Sequence, residues 1–135
     1  MEQPTSKALN IATWVAQVIL ALLFGMAGVL KTFTPMAELA TKIPWTAEVP
    51  EMLVRFIGVS ELLGAIGILL PAALRIRPRL TPLAAAGLAL VMALAILFHI
   101  ARGEAQVIGF PILLGALAAF VAWSRSRKVP VQGRA

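Results

Sequence analysis

The 135-residue chain has no cysteine, which excludes disulfides, Cys-x-x-Cys redox motifs and thiolate-ligated metals for the chain on its own. Its single histidine, His99, rules out a multi-histidine haem or metal site within one chain, so no metal site is expected. Aspartate is absent, and charged residues make up only 13% of the sequence. A soluble domain this small is mostly surface and would carry far more charge. Apolar residues take the place of charge: they form 60% of the chain, and the mean hydropathy is +0.91.

The apolar residues fall into four runs, each near the ~20 residues that span a bilayer. They predict one transmembrane domain over 1–135, with helices at about 8–30, 50–70, 80–100 and 107–123 and a basic tail at 124–135. The first run is too long for a signal-peptide core and three more follow it, so it reads as a retained helix. The expected fold is all-α, an integral membrane four-helix bundle.

The formal charge is +6, from 12 Lys and Arg against 6 Glu. The basic residues flank apolar runs, where they report topology and contact with anionic membrane lipids rather than nucleic acid. Lys7, Arg75, Arg77, Arg79, Arg125, Arg127, Lys128 and Arg134 fall on one side of the bundle. Lys31, Lys42 and Arg102 fall on the other, beside Glu38, Glu48, Glu51 and Glu104. By the positive-inside rule both termini are cytoplasmic, N-in/C-in, in a multi-pass protein of the cytoplasmic (inner) membrane. Trp14 and Trp123 then sit near the inner interface and Trp45 near the outer one.

In helix 1, Asn10, Thr13, Gln17, Ala21, Gly25, Gly28 and Lys31 recur at three- and four-residue steps and form one stripe. Such a stripe faces protein in a membrane, as a packing seam or as one wall of a pocket at its Lys31 end. The connection over 32–51 holds three prolines. Thr34-Pro35 reads as a helix start with a hydroxyl cap. Met36, Leu39, Ala40 and Ile43 follow on one apolar side, with Glu38 and Lys42 outside. This predicts a short interfacial helix between helices 1 and 2, ended by Pro44-Trp45, in a re-entrant or surface-lying flap, with a simple interfacial loop as the alternative.

The second run, RFIGVSELLGAIGILLP at 55–71, carries Glu61 near its middle. A charge at that depth costs at least about 2.5–3.5 kcal/mol, so it needs a partner, a proton or a task. Gly58, Ser60, Gly64, Ala65 and Gly67 let neighbouring helices approach closely. Lys31, Arg55 and His99 all fall at the outer ends of helices 1, 2 and 3, and Glu61 lies roughly 9 Å deeper than Arg55. Polar groups are thus expected in the outer half of the bundle, with the inner half nearly dry. Arg55 is expected to snorkel to the interface or meet the flap.

Within that group Glu61 and His99 are the candidate catalytic residues, as proton donors or acceptors. Lys31, Arg55, Gln17 and Gly58 are the candidate substrate-binding residues. A protonated Glu61 can donate to a carbonyl and an ionised one can take a proton. The plainer alternative has Glu61 bonded to Gln17, Ser60 or His99, locking helix register.

Gly25-x-x-Gly28-x-x-Lys31, Gly58-x-x-Glu61-x-x-Gly64-Ala65, Leu70-Pro71 and His99 at the close of the third helix resemble the DoxX-like membrane proteins. The resemblance implies a four-helix bundle in the cytoplasmic membrane, with Lys31, Glu61 and His99 at the family's polar positions. It also implies a link to thiosulfate:quinone oxidoreductase subunits and to oxidative-stress complexes. With no cysteine here, thiol chemistry would have to come from a partner.

Three functions are open at this point. One is a membrane subunit of a redox-linked complex, with a quinone as cofactor and Glu61 and His99 supplying protons. Another is a non-catalytic scaffold, or a lipid or small-molecule binding protein. The last is a small proton-coupled transporter, which needs a homo-oligomer to form a pathway. A protein partner is implied by the first two.

Overall fold

The structure is a computed structural model that describes residues 4–134. Five α-helices follow in order: α1 (Pro4–Phe33), α2 (Met36–Lys42), α3 (Glu51–Leu74), α4 (Leu80–Ala101) and α5 (Gly109–Trp123). Short 3-10 turns lie at Pro44–Glu48 and Ala105–Val107, and a π-helical turn, Ser124–Lys128, prolongs α5. No strand occurs among the described residues. Four segments are long and apolar enough to cross a membrane: Ser6–Phe33, Glu51–Leu74, Leu80–Ala101 and Gly109–Lys128.

The four long helices form a ring. α1 packs on α3 and α5, α3 on α4, and α4 on α5. Leu20, Phe24, Ile68, Leu88, Ala118 and Val121 fill the middle and are almost completely buried. Leu22, Met26, Leu63, Leu83, Leu90 and Leu113 stand exposed on the outside. An apolar exterior of this kind is what a bilayer solvates, since lipid tails are as apolar as leucine.

The stripe on α1 is the seam with α3. A Cβ added at Gly28 would lie 2.7 Å from the backbone nitrogen of Leu62, and one at Gly58 would lie 2.7 Å from Lys31 Cβ. Only glycine lets the two backbones meet this closely. Gly64 is filled by the Leu88 side chain of α4, so a small residue on α3 again sets a helix separation.

α3 continues past the expected stop at Pro71 and ends at Leu74, where Arg75 adopts a left-handed conformation with φ of 58°. Proline has no N–H, which leaves the carbonyl four residues back without its helical donor. That carbonyl is Gly67, and Thr81 Oγ1 of α4 donates to it at 3.4 Å. In a membrane such side chains re-satisfy what proline frees.

The connection after α1 is a flap. Leu39 and Thr46 are fully buried, Met36, Ala40 and Ile43 are half-buried, and Glu38 and Lys42 are exposed, as an amphipathic short helix requires. The expected Thr34 cap does not form. Pro35 is the N-cap residue and no side chain caps α2. The Thr34 carbonyl instead accepts from Arg55 Nη1 at 2.7 Å.

The expectation of a nearly dry inner half is corrected. Thr13, Gln17, Ser124 and Arg125 are all buried at the end of the bundle that carries both termini. Thr13 and Ser124 share a hydrogen bond of 2.6 Å, and Gln17 Nε2 donates to the Ile68 carbonyl at 2.7 Å. Arg125, expected in an exposed tail, is only 3% exposed, because the π-helical turn swings it back onto α1.

Candidate functional site

The site begins where α1 ends. The last carbonyls of a helix have no donor of their own. Arg55, on the first turns of α3, supplies one: Nη1 donates to the carbonyls of Lys31 (3.1 Å), Thr32 (3.3 Å) and Thr34 (2.7 Å). Its other nitrogens hold Glu51 at 3.2–3.3 Å. Arg55 therefore meets the base of the flap. Its task is to fix the end of α1, and with it the position of Lys31.

Nearly two helical turns deeper on α3, Glu61 faces that end. Lys31 Nζ donates to Glu61 Oε1 at 2.8 Å, with the lysine 12% and the carboxylate 2% exposed. The close approach at Gly58 brings the two backbones near enough for this pair. Lys31 Nζ also sits 5.7 Å from the centre of the Trp45 ring, a cation–π distance. Trp45 in turn packs edge-on against Phe98 of α4 at 5.5 Å.

These groups line a cavity of about 300 Å³ between α3, α4 and the flap. Lys31, Glu61, Ser60 and His99 are its polar groups, and Trp45, Ile57, Val91, Met92, Ala95 and Phe98 form its apolar walls. Leu53, Phe56 and Leu94 line it too while standing 44–70% exposed on the bundle exterior. The cavity thus borders the surface where lipid tails would lie. Its size falls at the lower end of small-molecule sites, and its make-up is theirs: mostly apolar walls with a few convergent polar groups.

His99 closes α4 at the outer rim. Its Nδ1 lies 2.8 Å from Glu104 Oε1, and Arg102 Nε donates to the same oxygen at 3.0 Å. Arg102 Nη2 also reaches across to Glu48 Oε2 of the flap at 2.7 Å. The hydrogen bond from Arg102 holds the Glu48 carboxyl below its ordinary value. The same donor, with His99 second, does so for Glu104. Hydrogen bonds to Glu48 and then to Glu104 hold Arg102 further above its already high value. An ionised Glu104 only accepts, so the Nδ1 N–H of His99 donates to it.

Of the residues picked from the sequence, the structure brings Lys31, Glu61 and His99 to one cavity. Arg55 and Gly58 support it from behind, through the backbone of α1. Gln17 lies apart, near the terminus end, held by Ile68 and Arg125. Glu61 bonds to none of Gln17, Ser60 or His99 in the described contacts; Lys31 is its partner. The Glu48–Arg102–Glu104 cluster was not singled out from the sequence, because its members sit in two separate loops and only the fold joins them. No group of three metal-ligating side chains is found among the described residues.

The chain matches the model of the DoxX-like family over residues 15–121, most of its length. No curated protein and no solved structure matches it.

Proposed function

The chain belongs to the DoxX-like family, and from that premise we propose that it is the membrane subunit of a redox-linked, quinone-associated complex of the cytoplasmic membrane. The observation that carries the reading is an apolar cavity bordering the lipid surface, with a buried lysine–carboxylate pair in its wall. Lys31 has three N–H donors and spends one on Glu61, so it can donate to a carbonyl oxygen placed in the cavity. A flat ring suits walls made by Trp45, Phe98 and aliphatic side chains, and about 300 Å³ holds a ring and not a long tail. A tail would leave past Leu53, Phe56 and Leu94.

A quinone bound there would supply two-electron, two-proton redox chemistry. The chain's own residues would hold and move the protons. Glu61 can take or release one at its carboxylate, and His99 can exchange one at Nε2 near the rim. With no cysteine and one histidine the chain offers no thiol or multi-histidine electron carrier, so electrons would come from a partner protein.

A second reading has its own support. The Lys31–Glu61 pair lies beside the tight Gly28–Gly58 contact and joins α1 to α3. A pair so placed can serve as helix glue in a scaffold that breaks no bond.

Mass spectrometry of organic extracts from gently purified protein, wild type beside Glu61→Gln, separates the two. The redox reading expects one apolar small molecule per chain in the wild type, depleted at least about tenfold in the variant, a loss of one good polar contact. If both proteins carry only bulk phospholipid, the quinone assignment fails and the scaffold reading stands.

A further inference from the structure

A second cavity, of about 480 Å³, lies at the opposite end of the bundle from the Lys31–Glu61 pair. The start of α1, the turn after α3 and the chain from the π-helical turn to Gln132 line it, and it is open to the surface. Three cations line it, Arg75, Arg125 and Lys128, and no carboxylate does among the described residues. Every described carboxylate (Glu38, Glu48, Glu51, Glu61 and Glu104) is in the flap, on α3 near the flap, or in the turn before α5.

Each cation is held in place by neutral groups. Arg125 Nε donates to Gln17 Oε1 at 2.7 Å, and Nη1 donates to Asn10 Oδ1 at 2.6 Å and to the Val129 carbonyl at 2.7 Å. Its guanidinium carbon lies 5.0 Å from the Trp14 ring centre. Arg125 is 97% buried by its 3% exposure, and its Nη2 has no hydrogen-bond partner among the described residues. Arg75 Nε donates to the Gln132 carbonyl at 3.0 Å, while Arg134 N–H donates to the Arg75 carbonyl at 2.9 Å. These bonds fold the tail back as one wall and hold Arg75 at its positive φ. Lys128 Nζ stands 5.6 Å from the Trp123 ring centre.

Burying a guanidinium without a counter-charge is costly, and a neutral amide network only positions it. A planar fork, a second arginine and an ammonium facing one cavity match the oxygens of a phosphate group. We propose that this cavity is a binding site for a phosphate-bearing anion, either an anionic lipid headgroup or a soluble phosphate. The site stands apart from the Lys31 cavity, and its proposal does not depend on the redox reading.

The test uses the full chain in phosphatidylcholine nanodiscs containing a minor fraction of phosphatidylglycerol, with bound lipid read by native mass spectrometry. The variant Arg75→Gln/Lys128→Gln removes two exposed cavity cations and leaves buried Arg125 in place. Arg77→Gln/Arg127→Gln removes the same charge outside the cavity and serves as control. Two cations near a phosphate are each worth about fivefold, so retention of phosphatidylglycerol should fall roughly 25-fold in the cavity variant. In the control it should fall by less than about fivefold. A second arm titrates inorganic phosphate into phosphatidylcholine-only discs and follows Trp14 emission in a Trp45→Phe/Trp123→Phe background. Saturation there assigns soluble phosphate, and retained phosphatidylglycerol that phosphate does not displace assigns the lipid. Equal loss in both double variants, or no retained anion in either arm with the wild type, overturns the proposal.

Discussion

Removing Lys31 and removing Glu61 should destabilise the bundle by different amounts and with different pH dependence. Glu61 is 2% exposed and paired at 2.8 Å, so Lys31→Met leaves a carboxylate with no cation. Breaking a buried pair from one side costs about 3–5 kcal/mol. A stranded carboxylate has an escape, since it can take a proton. For a carboxyl of ordinary pKa that costs about 3.7 kcal/mol at pH 7 and about 1 kcal/mol at pH 5, which caps the penalty. The Lys31→Met protein should therefore regain about 2–3 kcal/mol between pH 7 and pH 5, because its folded state binds a proton that its unfolded state does not. Glu61→Gln leaves Lys31 instead, 12% exposed beside Trp45 and free to turn toward the interface, so its loss should be smaller and flat over the same range. The double variant Lys31→Met/Glu61→Gln, which strands no charge, should lose less than Lys31→Met alone at pH 7 and well short of the sum of the singles. Reversible unfolding in mixed micelles at pH 7 and pH 5 reads all four proteins. Additive single losses, or a Lys31→Met penalty that does not shrink with acid, would refute the pair as described.

The glycines on α3 and α4 should divide by what surrounds them. Gly58→Ala places a Cβ against α1 backbone at 2.8 Å and should cost about 1–3 kcal/mol while lengthening the Lys31–Glu61 contact. Gly87→Ala meets open space and should be neutral or stabilise by up to about 1 kcal/mol, as thermal melts of the two variants would show. The flap tie through Arg102 should depend on acid. The carboxyls of Glu48 and Glu104 are held below their ordinary value, so their contribution is present at neutral pH and is lost as pH falls through those lowered folded values. In a Trp14→Phe/Trp123→Phe background, Trp45 emission should hold steady down to an ordinary carboxyl pKa near 4.5 and change only below it. Glu48→Gln should remove most of that transition, and a midpoint above 4.5 would count against the tie.

What was legible in the sequence follows from the physics that leaves a local mark. Four apolar runs spell four helices because a bilayer demands about 20 apolar residues in a row. The stripe on α1 and the glycines of α3 gave their common face away, since close packing in lipid needs small residues at helical spacing. Lys31, Glu61 and His99 could be grouped because topology alone sets their depth. Their partners could not be read. Glu61 pairs with Lys31 rather than with Gln17, a choice made by the rotation of α1 against α3, and Gln17 is drawn off by Arg125 from 108 residues away. Arg125 itself looked like a tail residue, because a π-helical turn that redirects one side chain has no signature in an arginine- and serine-rich stretch.

The two polar layers of the bundle differ in kind, and that difference bears on what each can do. At the flap end every cation has a carboxylate: Lys31 with Glu61, Lys42 with Glu38, Arg55 with Glu51, Arg102 with Glu48 and Glu104. A layer balanced in this way presents little net charge to a ligand. It suits a neutral guest that needs hydrogen bonds and proton exchange, since an anion or cation there would break a pair that burial makes costly to break. At the terminus end Arg75, Arg125 and Lys128 line one cavity, and among the described residues their neighbours are neutral. Burying a guanidinium without a counter-charge is costly, which is the ground for the phosphate site proposed there. The two proposed sites thus differ in charge, one suited to a neutral molecule and the other to an anion, and the dry middle of Leu20, Phe24, Ile68 and Leu88 lies between them.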